Sequence, residues 1–433
     1  MSAMEHKTTR FHIKRGLTLR LPGAPVLRAP EAKDAAHVAL VGLDFHGAKP
    51  DVAVQKGARV HAGDVLWRDR TRPEIRFTAP ASGTVTAVNR GAKRQLVSIV
   101  IERATEGNGG EGKTFAAPDD TQDGARAWLL DTGLWAALRA RPYGVIPDAG
   151  GEPVALFVTA IEGDPLGPCA EDIIALYAEA FSEGLKTLTQ ASQAPVVLCA
   201  SPGADIQGVP ATVRRADFSG SPACALPGIH IHRIAPVGWA GAGLEGEAWS
   251  IGYQDVIAIG HARLTGRLWG ERVVALAGPM AANPRLLRVP LGASVSELVA
   301  GELAPGAARL IAGGALSGRA AFGAQDYLGA GHTLVTALAE CLPAAKGGTA
   351  MGGAPGPLLP VPRLERVWPF DISVVALLRA LSVGDAQTVK ALGGLALVEE
   401  DVAALTFVCP SKTEYGVLLR RVLDQLRKEE AGA

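Results

Sequence analysis

Cysteine is scarce in this sequence, and its few copies lie far apart. The five cysteines are Cys169, Cys199, Cys224, Cys341 and Cys409, and no two of them form a C-x-x-C pair. A zinc ribbon or an intact iron–sulfur motif needs several closely spaced thiolates, so the sequence excludes both. A sparse, odd set of cysteines is also typical of reduced thiols in a reducing compartment.

Net charge and long apolar runs are missing as well. The 43 basic and 43 acidic residues cancel, and no Lys/Arg stripe stands out, which argues against nucleic acid as a partner. No run approaches the roughly 18–20 apolar residues of a membrane-spanning helix. Residues 1–15 mix charges where a signal peptide would have an apolar core. We therefore expect a soluble, cytoplasmic chain, and 433 residues predict two to four domains.

Two segments near the start of the chain share one pattern. Residues 52–66 and 77–88 alternate apolar and polar side chains, as half-buried strands do, and glycines interrupt both. The spacing Gly57-x5-Gly63, followed by A-P-x-x-G at 79–83, resembles the barrel-sandwich hybrid of lipoyl and biotinyl carrier domains.

The hairpin between these segments lacks the residue that a carrier needs. Carrier domains bear a modified lysine there, but residues 68–76 read R-D-R-T-R-P-E-I-R and contain no lysine. Arginine cannot replace it, because amide formation needs a primary amine that can lose its proton, and guanidinium stays protonated. The sequence predicts an unmodified scaffold domain.

The middle of the chain predicts a Rossmann-like α/β domain. Residues 153–160 and 195–200 are apolar runs typical of buried strands, and residues 171–190 between them repeat apolar side chains at helical spacing. Such a strand–helix–strand unit implies a parallel sheet. A further helical pattern covers residues 125–139, and the glycine-rich residues 107–112 predict a linker before it.

A nucleotide site is not favoured in this domain. The turn at residues 161–165 (I-E-G-D-P) lacks the glycine pattern that admits a pyrophosphate, and its two carboxylates would repel phosphate. One G-x-G-x-x-G match runs from Gly241 to Gly246, but it lies between residues 228–234 and 249–260, which both look like strands.

Two histidines lie close together in the first of these runs. On a strand, His230 and His232 would share one face, where two imidazoles could bind a metal. No third ligand converges on them in the sequence, so we interpret them as half-buried strand histidines.

Residues 288–298 predict a strand and then a helix with a capping box of Ser294 and Glu297. This pattern is the start of a β-grasp module of the soluble-ligand-binding type, and glycine-rich segments follow at 313–319 and 326–329. The candidates for contact with a ligand or partner are four spare polar side chains of these segments: Ser317, Arg319, Asp326 and Tyr327. A turn-rich connection without a binding role is the alternative.

The end of the chain predicts amphipathic helices after an irregular loop. The loop at residues 342–362 is rich in Pro, Gly and Ala. The helices are expected at residues 372–381, 385–392 and 415–428.

A Cys-Pro pair lies between the last two helices. Cys409-Pro410 matches the end of the bacterial ferredoxin spacing, but the other three ligand positions fall on Glu399, Val402 and Leu405. One thiolate cannot hold a cluster. The helical flanks and the F-V-C-P segment favour a ferredoxin-like frame that has lost its cluster over a chance Cys-Pro.

The predicted fold class is α/β multidomain, in four parts. A barrel-sandwich hybrid occupies residues 1–106, a Rossmann-like α/β domain residues 107–260, and a β-grasp domain residues 261–342. A loop and a helical, degenerate ferredoxin-like domain occupy residues 343–433.

Ten segments, in order along nearly the whole chain, carry a family resemblance. They are I-K-R-G-L (13–17), L-P-G-A-P (21–25), F-T-A-P-A-S-G-T-V with N-R-G-A-K-R (77–94), S-I-G-Y-Q-D-V-I-A-I-G (250–260), R-V-V-A-L-A-G-P (272–279), N-P-R-L-L-R (283–288), L-G-A-S (291–294), L-S-G-R (316–319), Q-D-Y-L-G (325–329) and F-V-C-P-S-K-T-E-Y-G (407–416). Together they resemble the A subunit of the sodium-translocating NADH:quinone reductase. The related C subunit of Rnf-type electron-transport complexes shares the domain order but keeps cysteine motifs and long tails that this sequence lacks.

The resemblance implies a peripheral subunit on the cytoplasmic face of the bacterial inner membrane, in a six-subunit complex that couples NADH oxidation and quinone reduction to sodium export. NADH, flavins, iron–sulfur clusters and quinone belong to the complex, and no cofactor or metal is expected on this chain. Its partners are the other five subunits, chiefly the membrane-embedded quinone-site subunit, with ubiquinone or menaquinone nearby.

For the site residues, the resemblance makes Ser317, Arg319, Asp326 and Tyr327 candidate quinone or partner contacts. No catalytic residue is assigned, and the isolated chain is expected to be inactive. The sequence departs from the family at Leu405, where members commonly have a second cysteine, and at residues 334–362, which are shortened. Three alternatives stay open: a subunit of an Rnf-type complex, a free-standing NADH or flavin oxidoreductase, and a non-enzymatic adaptor of another membrane complex.

Overall fold

The computed structural model describes residues 8–104, 112–239, 243–340 and 358–432. The predicted linker at 107–112 lies outside these residues except for its last glycine, as does most of the predicted loop at 342–362. Within the described ranges, no helix is long and apolar enough to cross a membrane.

The strands pair into two small sheets and two six-stranded sheets. In chain order the strands are β1 (Thr9–Ile13), β2 (Val26–Ala32), β3 (His37–Val41), β4 (Pro50–Val52), β5 (Arg59–Val60), β6 (Val65–Asp69), β7 (Arg72–Thr78), β8 (Gly83–Arg90), β9 (Leu96–Arg103), β10 (Arg139–Arg141), β11 (Pro153–Ala160), β12 (Val196–Ala200), β13 (Arg214–Gly220), β14 (Glu247–Gly252), β15 (Glu271–Ala277), β16 (Arg285–Pro290), β17 (Ala308–Ala312), β18 (Arg319–Ala320) and β19 (Leu334–Ala339). The α-helices are α1 (Gln122–Thr132), α2 (Ala170–Leu176), α3 (Ala178–Ala191), α4 (Pro227–Ile234), α5 (Tyr253–Thr265), α6 (Val295–Leu298), α7 (Pro362–Val367), α8 (Val374–Val383), α9 (Ala386–Ala391), α10 (Glu399–Val408) and α11 (Tyr415–Gly432).

The two small sheets form the N-terminal sandwich. Their strand orders are β3-β9-β8-β5 and β4-β6-β7, and their strands pair antiparallel. Trp67 stacks on Phe77 with ring centroids 3.4 Å apart, and Phe45 packs edge-on against both rings. Gly57 and Gly63 have φ of 89° and 92°, a conformation that favours glycine, so they make the turns that the repeat predicted.

The first six-stranded sheet has the order β1-β13-β12-β11-β14-β10 and is parallel except for the antiparallel edge strand β10. The strands β11 and β12 and the helical segment between them confirm the predicted strand–helix–strand unit, although that segment is two helices, α2 and α3, joined at Tyr177.

Both faces of this sheet are buried, against helices from different parts of the chain. On β11, Leu156 and Val158 belong to the core that includes α1, α3 and α5. Their neighbours Ala155 and Phe157 belong to a second core, formed with α4 and the C-terminal helices α7 to α11. Successive side chains of a strand point to opposite faces, so the C-terminal helices complete the α/β sheet from the far end of the sequence.

The second six-stranded sheet has the order β18-β17-β19-β15-β16-β2. Its edge strand β2 comes from the start of the chain and pairs with β16, just as β1 pairs with β13 in the other large sheet. The N-terminal segment therefore links both large sheets before the sandwich begins at β3.

Three local predictions were wrong. The run at 228–234 is not a strand but helix α4, with Pro227 at its first position, where a fixed φ favours a helix. The run at 249–260 is a strand only to Gly252 and then continues as α5. The helix predicted at 125–139 ends at Thr132, because Gly133 adopts the left-handed conformation, and a 3-10 turn leads into β10.

Candidate functional site

Arg319 joins the second six-stranded sheet to the sandwich. Its Nη1 lies 2.5 Å from Oδ1 of Asp44, which ends a 3-10 turn after β3, and its Nη2 donates to the carbonyl of Tyr327 at 3.2 Å. The side chains of Arg319 and Asp44 are 18% and 15% exposed. This predicted contact residue therefore makes a largely buried link between two parts of the fold.

Asp326 is tied to the start of helix α6. Its carboxylate accepts hydrogen bonds from the hydroxyls of Ser294 and Ser296, at 2.9 and 2.5 Å. Only half of the predicted capping box forms. Ser294 accepts from the backbone N–H of Glu297, while the carboxylate of Glu297 accepts from the backbone N–H of His37 at 3.1 Å.

Tyr327 and Ser317 differ in exposure. Tyr327 is half-buried, and burial, with the carboxylates of Asp326 and Glu297, raises the pKa of its phenol to about 12. Ser317 is exposed on the loop before β18. The structure thus brings Arg319, Asp326 and Tyr327 together and leaves Ser317 on the surface.

A cavity of about 130 Å³, partly open to the surface, lies where the sandwich, the α/β domain and the second six-stranded sheet meet. Phe45, Phe77 and Trp269 form the aromatic part of the wall. Several alanines and glycines also line the cavity, and their small size leaves it open. The other lining residues are Ala39, Leu40, Val41, Asp44, Thr78, Ala79, Pro80, Thr132, Gly133, Leu134, Ala136, Ala137, Asp255, Ala258, Leu268, Glu271, Arg272, Leu291, Gly292, Leu328, Gly329 and Ala330.

Arg272 is the buried cation of this cavity. It pairs with Asp255 and donates to the carbonyl of Ala330 at 2.7 Å, with only 8% of its side chain exposed. Its Nε–H has no partner among the described residues. A buried donor without an acceptor is costly. Arg272 also lines the cavity, so its guanidinium is the candidate donor for a ligand there.

His332 supports the loop that closes one side of the cavity. The backbone N–H of Gly329 donates to its Nδ1 at 2.9 Å. Burial lowers the pKa of His332 to about 4, so the imidazole is neutral near pH 7 and carries its proton on Nε2. The Asp44–Arg319 pair holds the same loop, because Asp44 also accepts from the N–H of Ala330 at 3.1 Å.

The turn at 161–165 lies at the carboxyl end of β11, where a Rossmann-type pyrophosphate would bind. Glu162 accepts from the hydroxyl of Thr333 at 2.9 Å, and Asp164 packs against Gly314. Burial raises the pKa of both carboxyls. This end of the strand is therefore covered by the second six-stranded sheet, and its acidic groups do not suit a phosphate. Of the glycine motif, Gly241 lies outside the described residues.

The two histidines do not share a face, because they lie on helix α4 rather than on a strand. His230 is fully buried, its Nε2 lies 2.8 Å from the carbonyl of Cys224, and burial lowers its pKa to about 4. His232 packs on Trp239, with its Nε2 3.3 Å from Asp371. The prediction of half-buried strand histidines was therefore wrong, since both lie on a helix and His230 is fully buried. No described cluster of His, Cys, Asp and Glu could hold a metal.

The ferredoxin-like positions are occupied by structural contacts. Val402 and Leu405 are fully buried in the core that α10 and α11 share with the α/β sheet. The sulfur of Cys409 lies 3.3 Å from the hydroxyl of Tyr415, and Glu399 forms an ion pair with Arg420. These side chains fit a packed helical core rather than a cluster site.

Sequence reasoning missed the cavity because its walls come from distant segments. A signal was present, however. Five of the ten family-like segments contribute lining residues, namely the segments that contain Phe77, Asp255, Arg272, Leu291 and Leu328. The sequence does not show that these segments lie together in space, because their proximity depends on the fold.

Three family models match the chain. Residues 11–104 match one described as "NqrA N-terminal barrel-sandwich hybrid domain", which confirms the first predicted domain type. Residues 121–268 match "NqrA second alpha/beta domain", and residues 273–322 match "NQRA C-terminal domain".

Several curated relatives match almost the full length. The chain is 42% identical to the A subunit of the Na(+)-translocating NADH-quinone reductase of Pseudomonas aeruginosa, over 96% of this chain and 99% of the relative. It is 39% identical to the subunits of the same name from Shewanella amazonensis and Neisseria gonorrhoeae, with the same coverage in both cases.

Proposed function

Because the chain belongs to the family of the A subunit of the Na(+)-translocating NADH-quinone reductase, we propose that it is a peripheral subunit on the cytoplasmic face of the bacterial inner membrane. It contributes shape and a quinone-proximal surface to a complex that couples NADH oxidation and quinone reduction to sodium export. Its partners are the other five subunits, chiefly the membrane-embedded subunit of the quinone site.

The observation that carries the quinone part is the cavity between the three parts of the fold. An apolar cavity of roughly 150 Å³ holds a benzene ring, so about 130 Å³ with one open side suits a single ring with a tail that leads outward. A quinone needs mostly apolar walls and a donor for a carbonyl oxygen. Phe45 and Trp269 offer the walls, and the guanidinium of Arg272 offers the donor.

The loop that carries the predicted contact residues suits the role of partner surface. Ser317 is exposed just before β18, and Phe322 just after β18 is 66% exposed, although an aromatic ring of that size is usually buried. Arg319 and Asp326 hold this loop through Asp44 and helix α6 rather than facing a ligand. We therefore assign Ser317 and Phe322 to the membrane-embedded partner and Arg319 to the support of the cavity.

We also propose a type for each domain and assign the cofactors to other subunits. The first large sheet is Rossmann-like, the second large sheet is of the β-grasp type, and the C-terminal helices form a ferredoxin-like frame without a cluster. Flavins and iron–sulfur clusters belong to other subunits, and the isolated chain does not oxidise NADH.

The cavity is tested by titrating the purified chain with a short-chain ubiquinone analogue in a calorimeter. Ala258→Leu adds three carbons to the cavity wall, so it should weaken binding at least ten-fold; Arg272→Met removes the donor, which is worth roughly 0.5–1.5 kcal/mol, or about three- to ten-fold. Ala175→Leu, at an exposed position of α2, is the matched control and should change nothing. Failure of the unaltered chain to bind, or unchanged binding by Ala258→Leu, would refute the quinone site.

Membership of the complex needs a separate test. The chain is affinity-purified from native membranes in mild detergent, and the proteins that accompany it are identified. Recovery of the other five subunits is expected, and recovery of none of them would overturn the proposed role.

A further inference from the structure

A basic surface lies where the N-terminal segment crosses the first C-terminal helix. Lys14 and Arg15 directly follow strand β1, and Arg363 and Arg366 lie on helix α7. The two segments touch, because the backbone N–H of Gly16 donates to the carbonyl of Arg366 at 3.3 Å. We call the four exposed cations Lys14, Arg15, Arg363 and Arg366 the basic patch.

The charge of the basic patch is not used within the described fold. None of its four side chains forms an ion pair with a described residue, whereas Arg285, for example, pairs with both Glu31 and Glu302. Residues 8–20 contain no acidic side chain, and residues 358–367 contain only Glu365. Four cations against one carboxylate leave a strongly positive surface on a chain whose overall charge is zero.

Helix α7 presents its cations outward for a geometric reason. Leu364 and Val367 are buried in the core beneath the α/β sheet, so Arg363 and Arg366, three residues apart, share the opposite side of the helix. Leu359, just before the helix, is 46% exposed. The surface therefore combines long, mobile cationic side chains with one exposed aliphatic side chain.

We propose that the basic patch rests on the anionic lipid headgroups of the bilayer. This inference relies on the proposed role in a membrane complex, which places the chain beside a bilayer. Cations near an anionic membrane surface each strengthen binding about five-fold. Leu359 can reach the headgroup boundary beside them, as apolar residues of interfacial segments do. Flexible, unpaired cations suit a fluid layer of headgroups better than a fixed pattern of carboxylates on a protein.

The test is co-sedimentation of the full chain with vesicles of phosphatidylcholine, alone or with added phosphatidylglycerol, at low and high salt. The unaltered chain should bind only the anionic vesicles, and high salt should weaken the binding by screening the charges. The patch variant replaces the four cations with glutamine and should bind at least ten-fold more weakly. It is K14Q/R15Q/R363Q/R366Q.

A control variant removes the same charge from a different face. Four exposed cations of the sandwich are replaced, and vesicle binding should stay within about two-fold of the unaltered chain because only cations near the membrane surface add to it. The control is K56Q/R59Q/R68Q/R70Q.

Three results would overturn the inference. In the first, the unaltered chain does not bind anionic vesicles. In the second, both variants lose binding equally, which would indicate unspecific attraction. In the third, the patch variant still binds vesicles but no longer co-purifies with the complex, which would assign the patch to an acidic protein surface. The vesicle assay contains no quinone, so its failure is distinguishable from failure of the proposed quinone site.

Discussion

The buried ion pair between Arg141 and Asp401 attaches the C-terminal helices to the edge of the α/β sheet. Nη1 of Arg141 lies 2.6 Å from Oδ2 of Asp401, and the two side chains are 3% and 0% exposed. The same Nη1 donates to the carbonyl of Ala396 at 2.7 Å, and Asp401 accepts from the N–H of Val398 at 2.8 Å, at the start of α10. One pair thus links strand β10 to a helix about 260 residues later.

Removing one partner should cost far more than removing both. Asp401→Ala leaves the guanidinium of Arg141 buried, with the carboxylate of Glu400 at 3.3 Å as its remaining anionic partner. Breaking a buried pair in this way costs about 3–5 kcal/mol, which includes about 1 kcal/mol for the lost helix cap. The double variant Arg141→Met/Asp401→Ala leaves no buried charge, so it should be destabilised by clearly less than the sum of the single changes Arg141→Met and Asp401→Ala.

The assay is urea unfolding of the full chain, followed by far-ultraviolet circular dichroism for the four members of the cycle. The exposed pair Lys390–Glu430, with 44% and 47% of its side chains exposed, is the matched control. Its disruption by Lys390→Met should cost at most about 1 kcal/mol. A loss below about 1 kcal/mol for Asp401→Ala, or strict additivity of the two single changes, would refute the reasoning.

Three further predictions concern the core and its dependence on pH. Phe77→Ala removes a buried ring that stacks on Trp67, so thermal unfolding should show that the free energy of unfolding falls by about 3–5 kcal/mol. An equal loss on replacing an exposed aromatic ring, as in Phe322→Ala, would contradict this. Burial lowers the pKa of His230 to about 4, so the unfolded chain takes up a proton first as pH falls below about 6.5, and stability should decline from there to about pH 4. A pH series of urea midpoints should show a shallower slope in His230→Gln, and part of the slope should remain because burial also lowers the pKa of His332 to about 4. Although burial raises the pKa of Asp69, hydrogen bonds from Thr71, Lys49 and Arg72 hold it below its ordinary value of 3.8. The unaltered chain should therefore be more stable than Asp69→Asn at pH 7, and this difference in stability should vanish as pH falls below 3.8. A difference that persists in strong acid would contradict the assignment.

The sandwich and the strand–helix–strand unit were predictable because their signals are local. Alternation of apolar side chains and the glycines at 57 and 63 specify short strands and tight turns within a few residues. The run at 249–260 was not predictable in this way. Its strand is buried on both faces and its helix on several sides, so neither part shows a period, and the change at Gly252 carries no strong local signal.

Helix α4 shows a different kind of error. Pro227 was available as a signal for the first position of a helix. The alternation of Ile229, His230, Ile231 and His232 was instead interpreted as a strand. Tertiary burial decided the outcome, because α4 lies on the second face of the α/β sheet, where residues far along the chain complete the core.

The cavity could not be derived from the sequence at all. Its aromatic wall comes from Phe45 and Phe77 in the sandwich and from Trp269 before β15, and its cation is Arg272. Their proximity depends on how three parts of the fold pack, which no local pattern encodes. The candidates chosen from composition, such as Arg319 and Asp326, lie beside the cavity because the same glycine-rich loop supports it.

The hairpin of the sandwich and helix α10 both make contacts with the α/β sheet. In a lipoyl carrier, the tip of the hairpin must stay free so that its lysine can travel, but here Asp69 at the tip is fully buried, and Arg72 beside it donates to the carbonyl of Ile146 at 2.8 Å in the α/β domain. Helix α10 buries Leu405 in the core that it shares with the sheet, and its Asp401 pairs with Arg141 of β10. The hairpin that would bear a prosthetic group in a carrier is therefore fixed as a contact between two parts of the fold, and α10 holds the C-terminal helices to the same sheet.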